Sequence, residues 1–199
     1  NRPEYFGSEE TEVAPSFRPT VFALRFGNIR AGDPTDAMED DPIARPTGFF
    51  LGPSFRFVSG RNADDHEELD GLDDIDPTLE VGALVGYVWP AVETFGQVRY
   101  GLGGSEAWVG ELGANFVARP VDGVSFRLGP RLLFGSDAYN ETYFGVTAEE
   151  SADSGLARYD PAGGLVSTGV EMIATYRIGE RWWLEGRARW DRLEEDAAE

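Results

Sequence analysis

Residues 182–191 read WWLEGRARWD. Taken two apart, one set is Trp182, Leu184, Gly186, Ala188 and Trp190, and the other is Trp183, Glu185, Arg187, Arg189 and Asp191. The first is apolar with a tryptophan at each end, and the second carries four charges. A period of two marks a strand, because successive side chains point to opposite faces of a sheet. The solvent that each face meets decides the fold.

The alternation recurs along the chain. In 165–179 the set Val166, Thr168, Val170, Met172, Ala174, Tyr176, Ile178 opposes Ser167, Gly169, Glu171, Ile173, Thr175, Arg177. In 124–134 Val124, Phe126, Leu128, Pro130, Leu132, Phe134 oppose Ser125, Arg127, Gly129, Arg131, Leu133. Stretches 49–59, 79–89, 94–102 and 106–118 read the same way, and a less regular strand is expected over about 13–26. On a 3.6-residue wheel the charges would fall all around, so no helix is expected. Connections 90–93, 103–105, 119–123 and 179–182 are tight; 27–47, 60–78 and 136–164 are long.

Two architectures accommodate such strands: a soluble sandwich or barrel, and a transmembrane barrel. Charge placement separates them. A soluble sheet turns long charged side chains to water and bulky ones to a core. Here the polar register is mostly Gly, Ser and Thr, with Arg56, Glu80, Arg99, Glu111, Arg127, Arg131, Glu171, Arg177, Glu185, Arg187 and Arg189 spaced along it. Arginines interleaved with carboxylates suit a narrow lumen crossed by ion pairs. In the apolar register Trp89, Trp108, Tyr176, Trp182 and Trp190 fall near strand ends, as aromatic girdles do at lipid headgroups. The expected fold is therefore all-β: one domain over 1–199, a transmembrane antiparallel up-and-down β-barrel.

Composition agrees. Of 199 residues, 36 are acidic and 17 basic, the latter all Arg, for a net charge of −19. Nucleic acid is not an expected partner, because phosphate binding needs a basic patch. The absence of Lys fits a GC-rich genome. With no Cys there is no disulfide framework, thiolate metal site or cysteine nucleophile. No run of about 18 apolar residues offers a transmembrane helix. The opening NRPEYFGSEE lacks a signal-peptide pattern, so an exported form is expected to be a processed or trimmed chain. The 25 glycines and 13% aromatics suit strands with tight turns.

Strand parity bears on completeness. With the short turns 90–93, 119–123 and 179–182 on the periplasmic side, loops 60–78 and 136–164 fall outside, and strand 182–193 ends on the outer side. Barrel termini are normally periplasmic, so a closing strand is expected to be lacking at each end, giving eight visible strands of about ten. The count rises to about twelve if Tyr139–Val146 pairs or 27–47 holds a hairpin.

PEYFGS (Pro3, Glu4, Tyr5, Phe6, Gly7, Ser8) resembles the P-x-Y-x-G-S segment near the mature start of the MipA/OmpV family, the MltA-interacting outer-membrane proteins of Gram-negative bacteria. YFGVTAEESADSGLARYDPAGGL (143–165) resembles that family's second marked block, through Tyr143, Phe144, Gly145, Ser154, Gly155, Tyr159 and a glycine pair. ATYRIGERWWLEGRARWDRL (174–193) is similar to its late hairpin. The blocks span nearly the whole chain, and their order and spacing are more specific than any one alone. The resemblance implies an outer-membrane barrel without catalytic residues or cofactor. It further implies a scaffold linking a murein-degrading lytic transglycosylase to a bifunctional penicillin-binding protein, other members being treated as porin-like or as immunogenic surface proteins. The chain departs from the pattern in its terminal strands and its acidic loop.

Four features are candidates for chemistry. The loop DDHEELDGLDDID (64–76) has eight carboxylates in thirteen residues, whose oxygens suit a divalent cation shared with lipopolysaccharide phosphates. It lacks EF-hand spacing, and a solvated charged loop is the preferred reading, with no metal site assigned. His66, the one histidine, has acids on both sides instead of a serine on a rigid strand, so no catalytic residue is assigned. The lumen arginines and acids read better as a structural network than as a selective pore, because a barrel of about ten strands is largely filled by side chains. The segment 136–164, with Tyr139, Tyr143, Phe144 and Tyr159, is expected either to enter the barrel mouth as a plug or to form an outer docking surface. Membrane lipid and lipopolysaccharide are the expected surroundings.

Overall fold

The computed structural model describes residues 2–3, 11–12, 24–26, 29–31, 47–61, 63, 71–179 and 182–194. Four short strands come first: β1 (Arg2–Pro3), β2 (Thr11–Glu12), β3 (Leu24–Phe26) and β4 (Ile29–Ala31). Seven long ones follow: β5 (Gly48–Val58), β6 (Thr78–Val88), β7 (Val92–Gly103), β8 (Trp108–Ala118), β9 (Val124–Gly135), β10 (Gly164–Ile178) and β11 (Trp182–Leu193). Two helices, α1 (Asp137–Phe144) and α2 (Ala148–Ser154), lie between β9 and β10. The sheet order β11-β10-β9-β8-β7-β6-β5-β4-β3 makes the long strands an antiparallel meander, each hydrogen-bonded to its neighbour in sequence. The seven form a half-barrel.

Burial follows the two-residue alternation over β5 to β10, whereas β11, at the sheet edge, is exposed along nearly its whole length. On the outer face Leu128, Met172, Leu184 and Trp190 are exposed, whereas Arg99, Arg127 and Arg131 are buried on the inner one. A half-barrel with grease outside and guanidinium inside is the arrangement that lipid imposes on a sheet. Trp89 and Trp182 lie at the short-turn end, and Trp108 and Trp190 near the long-loop end. Trp182 and Trp190 are separated by roughly 27 Å along β11 at about 3.4 Å per residue. Strand tilt reduces that to about 20 Å, close to the height of a bilayer-facing band.

The inner face is not polar throughout. Phe50, Leu84 and Val88, with Phe95 against them, form an apolar cluster near the short turns. At the loop end Ile75, Ala107, Val109, Leu133, Tyr139, Tyr143 and Val166 form a second. The charges occupy the level between. Gly113 makes room for them, because a Cβ there would strike the Phe95 ring and come within 3.2 Å of an Arg131 guanidinium nitrogen.

Several expectations need correcting. The long strands begin and end within about two residues of the alternating stretches. Of 13–26, however, only 24–26 is described as strand, the rest lying outside the described residues. β4 pairs parallel to β5, so the sheet is up-and-down only over its long strands. β4 lies inside the connection expected at 27–47 and pairs antiparallel with β3. Tyr139–Val146 adds no barrel strand: most of it is α1, and Val146 makes an isolated bridge to Tyr159. The expectation of no helix is thus overturned. Val166 leaves the outward set, because the register shifts between Leu165 and Ser167 and turns it into the loop-end cluster.

Candidate functional site: the charged interior and its helical cap

Pairing register places acids beside bases on the inner face. Arg99 on β7 donates from Nε to Glu80 on β6 at 2.8 Å, and Ser54 on β5 donates to Gln97 at 2.8 Å. On the other half Arg131 donates to Glu171 at 2.7 Å and to Asn115 at 2.8 Å, with its guanidinium 5.1 Å from the centre of the Phe95 ring. Arg187 lies 3.7 Å from Glu171 and 3.2 Å from Glu185, which also accepts from Arg127 at 3.2 Å. Arg189 joins Asp191 at 2.7 Å to Glu111 at 3.3 Å. The ladder runs unbroken from Arg127 to Asp191. Arg189 and Glu111 stand on strands with two others between them, so the contact requires a curled sheet. Arg56 on β5 lies within electrostatic reach of Glu80, Glu111 and Arg189, although β5 and β11 are the two outermost long strands.

The eleven charged residues of the polar register all stand on the inward side of their strands. Arg99, Glu111, Arg127, Arg131 and Glu171 are buried; Arg56 and Arg177 are half-buried. The β11 side chains Glu185, Arg187 and Arg189 retain 27–29% exposure. Glu80, wholly buried, completes the set. A charge in such a place is stabilised only while its partner is present.

The segment between β9 and β10 covers this ladder at the loop end. Ser136 caps α1, its hydroxyl accepting from the Tyr139 N–H, and Thr147 and Glu150 cap α2 by a reciprocal capping box. Gly155 ends α2 in the left-handed region at φ 77°. The rings of Tyr139 and Tyr143 lie 4.8 Å apart and are buried in the loop-end cluster. The Tyr143 hydroxyl lies near Thr78 and Ser105, and Tyr139 lies in the field of Arg56, Glu80 and Arg99. Burial pushes both phenols up, so they remain neutral. Gly135 lets α1 approach, because a Cβ there would stand 2.6 Å from the Tyr139 ring.

The two long loops are tied together. Glu150 accepts from the Asp73 N–H at 2.9 Å and from the Thr147 N–H at 2.8 Å. Arg61 donates to the carbonyls of Tyr143 at 3.5 Å and Asp73 at 3.4 Å. Burial alone would raise the Glu150 carboxyl; the Asp73 and Thr147 N–H groups, the Thr147 hydroxyl and the Arg61 charge outweigh it and hold the group below its usual range.

Comparison with known proteins decides the family. The family model described as MltA-interacting protein MipA matches residues 1–199. The chain belongs to the MipA family. It is 30% identical over 119 residues to the putative outer membrane protein YiaT of Escherichia coli K12, covering 57% of the chain and 48% of that protein. It is 34% identical over 77 residues to the MltA-interacting protein of the same strain, covering 39% of the chain and 31% of that protein. The match thus spans about half the length of the first relative and less of the second. No solved structure matches. Family and relatives place this MipA-family chain in the outer membrane.

The family-like block 143–165 builds the cap. Tyr143 and Phe144 are in α1 with Gly145 at its C-cap, Ser154 and Gly155 end α2, and Tyr159 exchanges backbone bonds with Val146. Pro3 lies in β1; Tyr5, Gly7 and Ser8 lie outside the described residues, as does His66. Of the acidic loop 71–76 is described, and among the described residues no group of three potential metal ligands converges. Sequence reasoning missed Glu80 as the partner of Arg99, and Glu150. The T-A-E-E run at 147–150 carries a capping-box signal that finds Glu150 without a structure.

Proposed function

We propose that this chain is part of a non-enzymatic scaffold barrel, holding a lytic transglycosylase and a bifunctional penicillin-binding protein at the outer membrane. One observation carries the reading: the helical cap inserts Tyr139 and Tyr143 over an interior whose arginines and carboxylates are already paired with one another. Such a wall is built for rigidity, and its charges are engaged in their own ladder. The eleven inward charged residues from Arg56 to Arg189 then line a filled lumen, in a barrel closed to about ten strands, or about twelve, around the seven long strands described. A relative named for interaction with MltA, and the membrane names of the others, support a binding role over catalysis.

Planar-bilayer conductance of the full-length protein, with affinity capture of an MltA-type transglycosylase, tests the reading. Conductance is expected to be small and the transglycosylase retained. A large, steady, charge-selective conductance without capture would put the second reading first, a porin-like channel for small solutes.

A further inference from the structure

The outer wall has a dent near the short turns. Val85, Gly96 and Leu112 stand side by side in the outward register of β6, β7 and β8, so the missing side chain at 96 leaves a groove. One end is walled by aromatics: Phe49 and Tyr87 meet edge to face at 4.7 Å, and Tyr87 lies 4.4 Å from Trp89. The groove holds about 470 Å³. Folding does not demand glycine here, since its φ is not left-handed and a Cβ would meet only the flexible end of Leu112, at 3.1 Å. At the foot of the aromatic wall Arg119 reaches the neighbouring turn, donating to the Pro90 carbonyl at 3.0 Å. Tryptophan at a strand end marks the headgroup level, so a positive charge stands where phosphates lie, with Asp122 as the acid in the same turn.

We propose that this groove binds one glycerophospholipid, its acyl chain along Gly96 between Val85 and Leu112 and its phosphate at Arg119. Two features mark the place: a shallow recess floored by Gly96 between Val85 and Leu112, and a cation at the adjoining turn. An acyl chain is the occupant because the groove is continuous with the lipid-facing surface. A glycerophospholipid is favoured over lipid A because a single narrow groove accepts one chain and one phosphate. The inference rests on the outer-membrane setting alone, and holds whether the barrel is a scaffold or a channel.

Native mass spectrometry of the full-length protein, released from micelles containing dioleoylphosphatidylglycerol, reads the site. The wild type is expected to retain one lipid. Gly96→Leu, which fills the groove, should retain it about tenfold more weakly, the change expected from losing contact with roughly two methylenes. Gly96→Val, a strand-favouring replacement, provides a second variant, and unchanged melting of either shows that the fold is intact. Arg119→Gln should abolish the preference for phosphatidylglycerol over phosphatidylcholine. Equal retention by wild type and folded groove-filling variants, or preferential retention of lipid A, would overturn the proposal.

Discussion

Arg131 shows how one side chain organises the inner wall. It binds Glu171, Asn115 and the Ala114 carbonyl while its guanidinium faces Phe95, so its removal undoes contacts on three strands. Arg131→Met is expected to destabilise by about 3 kcal/mol, the lower end for a broken buried pair, because Arg187 still faces Glu171. Met172→Arg, on the outward face of the adjacent strand, should cost about 2–4 kcal/mol by placing charge in hydrocarbon. Urea-dependent refolding into lipid vesicles measures both. A loss under about 1 kcal/mol for Arg131→Met would mean that the ladder redistributes around the gap, as exposed pairs do. The two faces were legible because the period of two assigns every strand residue to one side. The partnership of Arg131 with Glu171 was not, because it depends on the register between strands, which alternation leaves free by steps of two.

At the scale of elements, the long strands were readable and the helices were not. Helices of seven or eight residues have too few turns to show a 3.6-residue period, and α1 and α2 owe their ends to Ser136, Thr147 and Gly155 rather than to an amphipathic stripe. The bulge at Val166 escaped for a related reason: it obeys the cap that it packs against, not the strand that it belongs to. Glu150 links these elements, and its titration is a test. Its folded pKa lies below the unfolded value, so the stability it contributes is full above the ordinary glutamate range and is lost as pH falls through the lower folded value. The protection factors of the Thr147 and Asp73 amides, referred to their intrinsic exchange rates at each pH, should therefore fall on acidification through that range. Glu150→Gln should show fast exchange at neutral pH, because one amide oxygen cannot accept from both N–H groups. Protection unaffected by either change would show that Arg61 alone fastens the loops.

Across the whole molecule the two ends differ, and the difference assigns their roles. Short turns close one end over the Phe50–Leu84–Val88 cluster, while the two long loops meet at the other over Tyr139 and Tyr143. A solute passing along the interior would have to displace the cap before reaching the charged level, and there it would compete with ion pairs already made. These are two barriers in series, and a deletion separates them. Removing residues 141–160 takes out half of α1 and all of α2 together with Tyr143 and Glu150, and leaves the arginine and glutamate ladder in place. If the cap is the principal barrier, single-channel conductance of the full-length protein should rise sharply, and the new current should depend on salt and on the charge of the solute because the ladder then sets it. Unchanged conductance with an intact barrel would assign the seal to the ladder and to the short-turn cluster. The cap would then be a surface element facing outward, its tyrosines serving to anchor it.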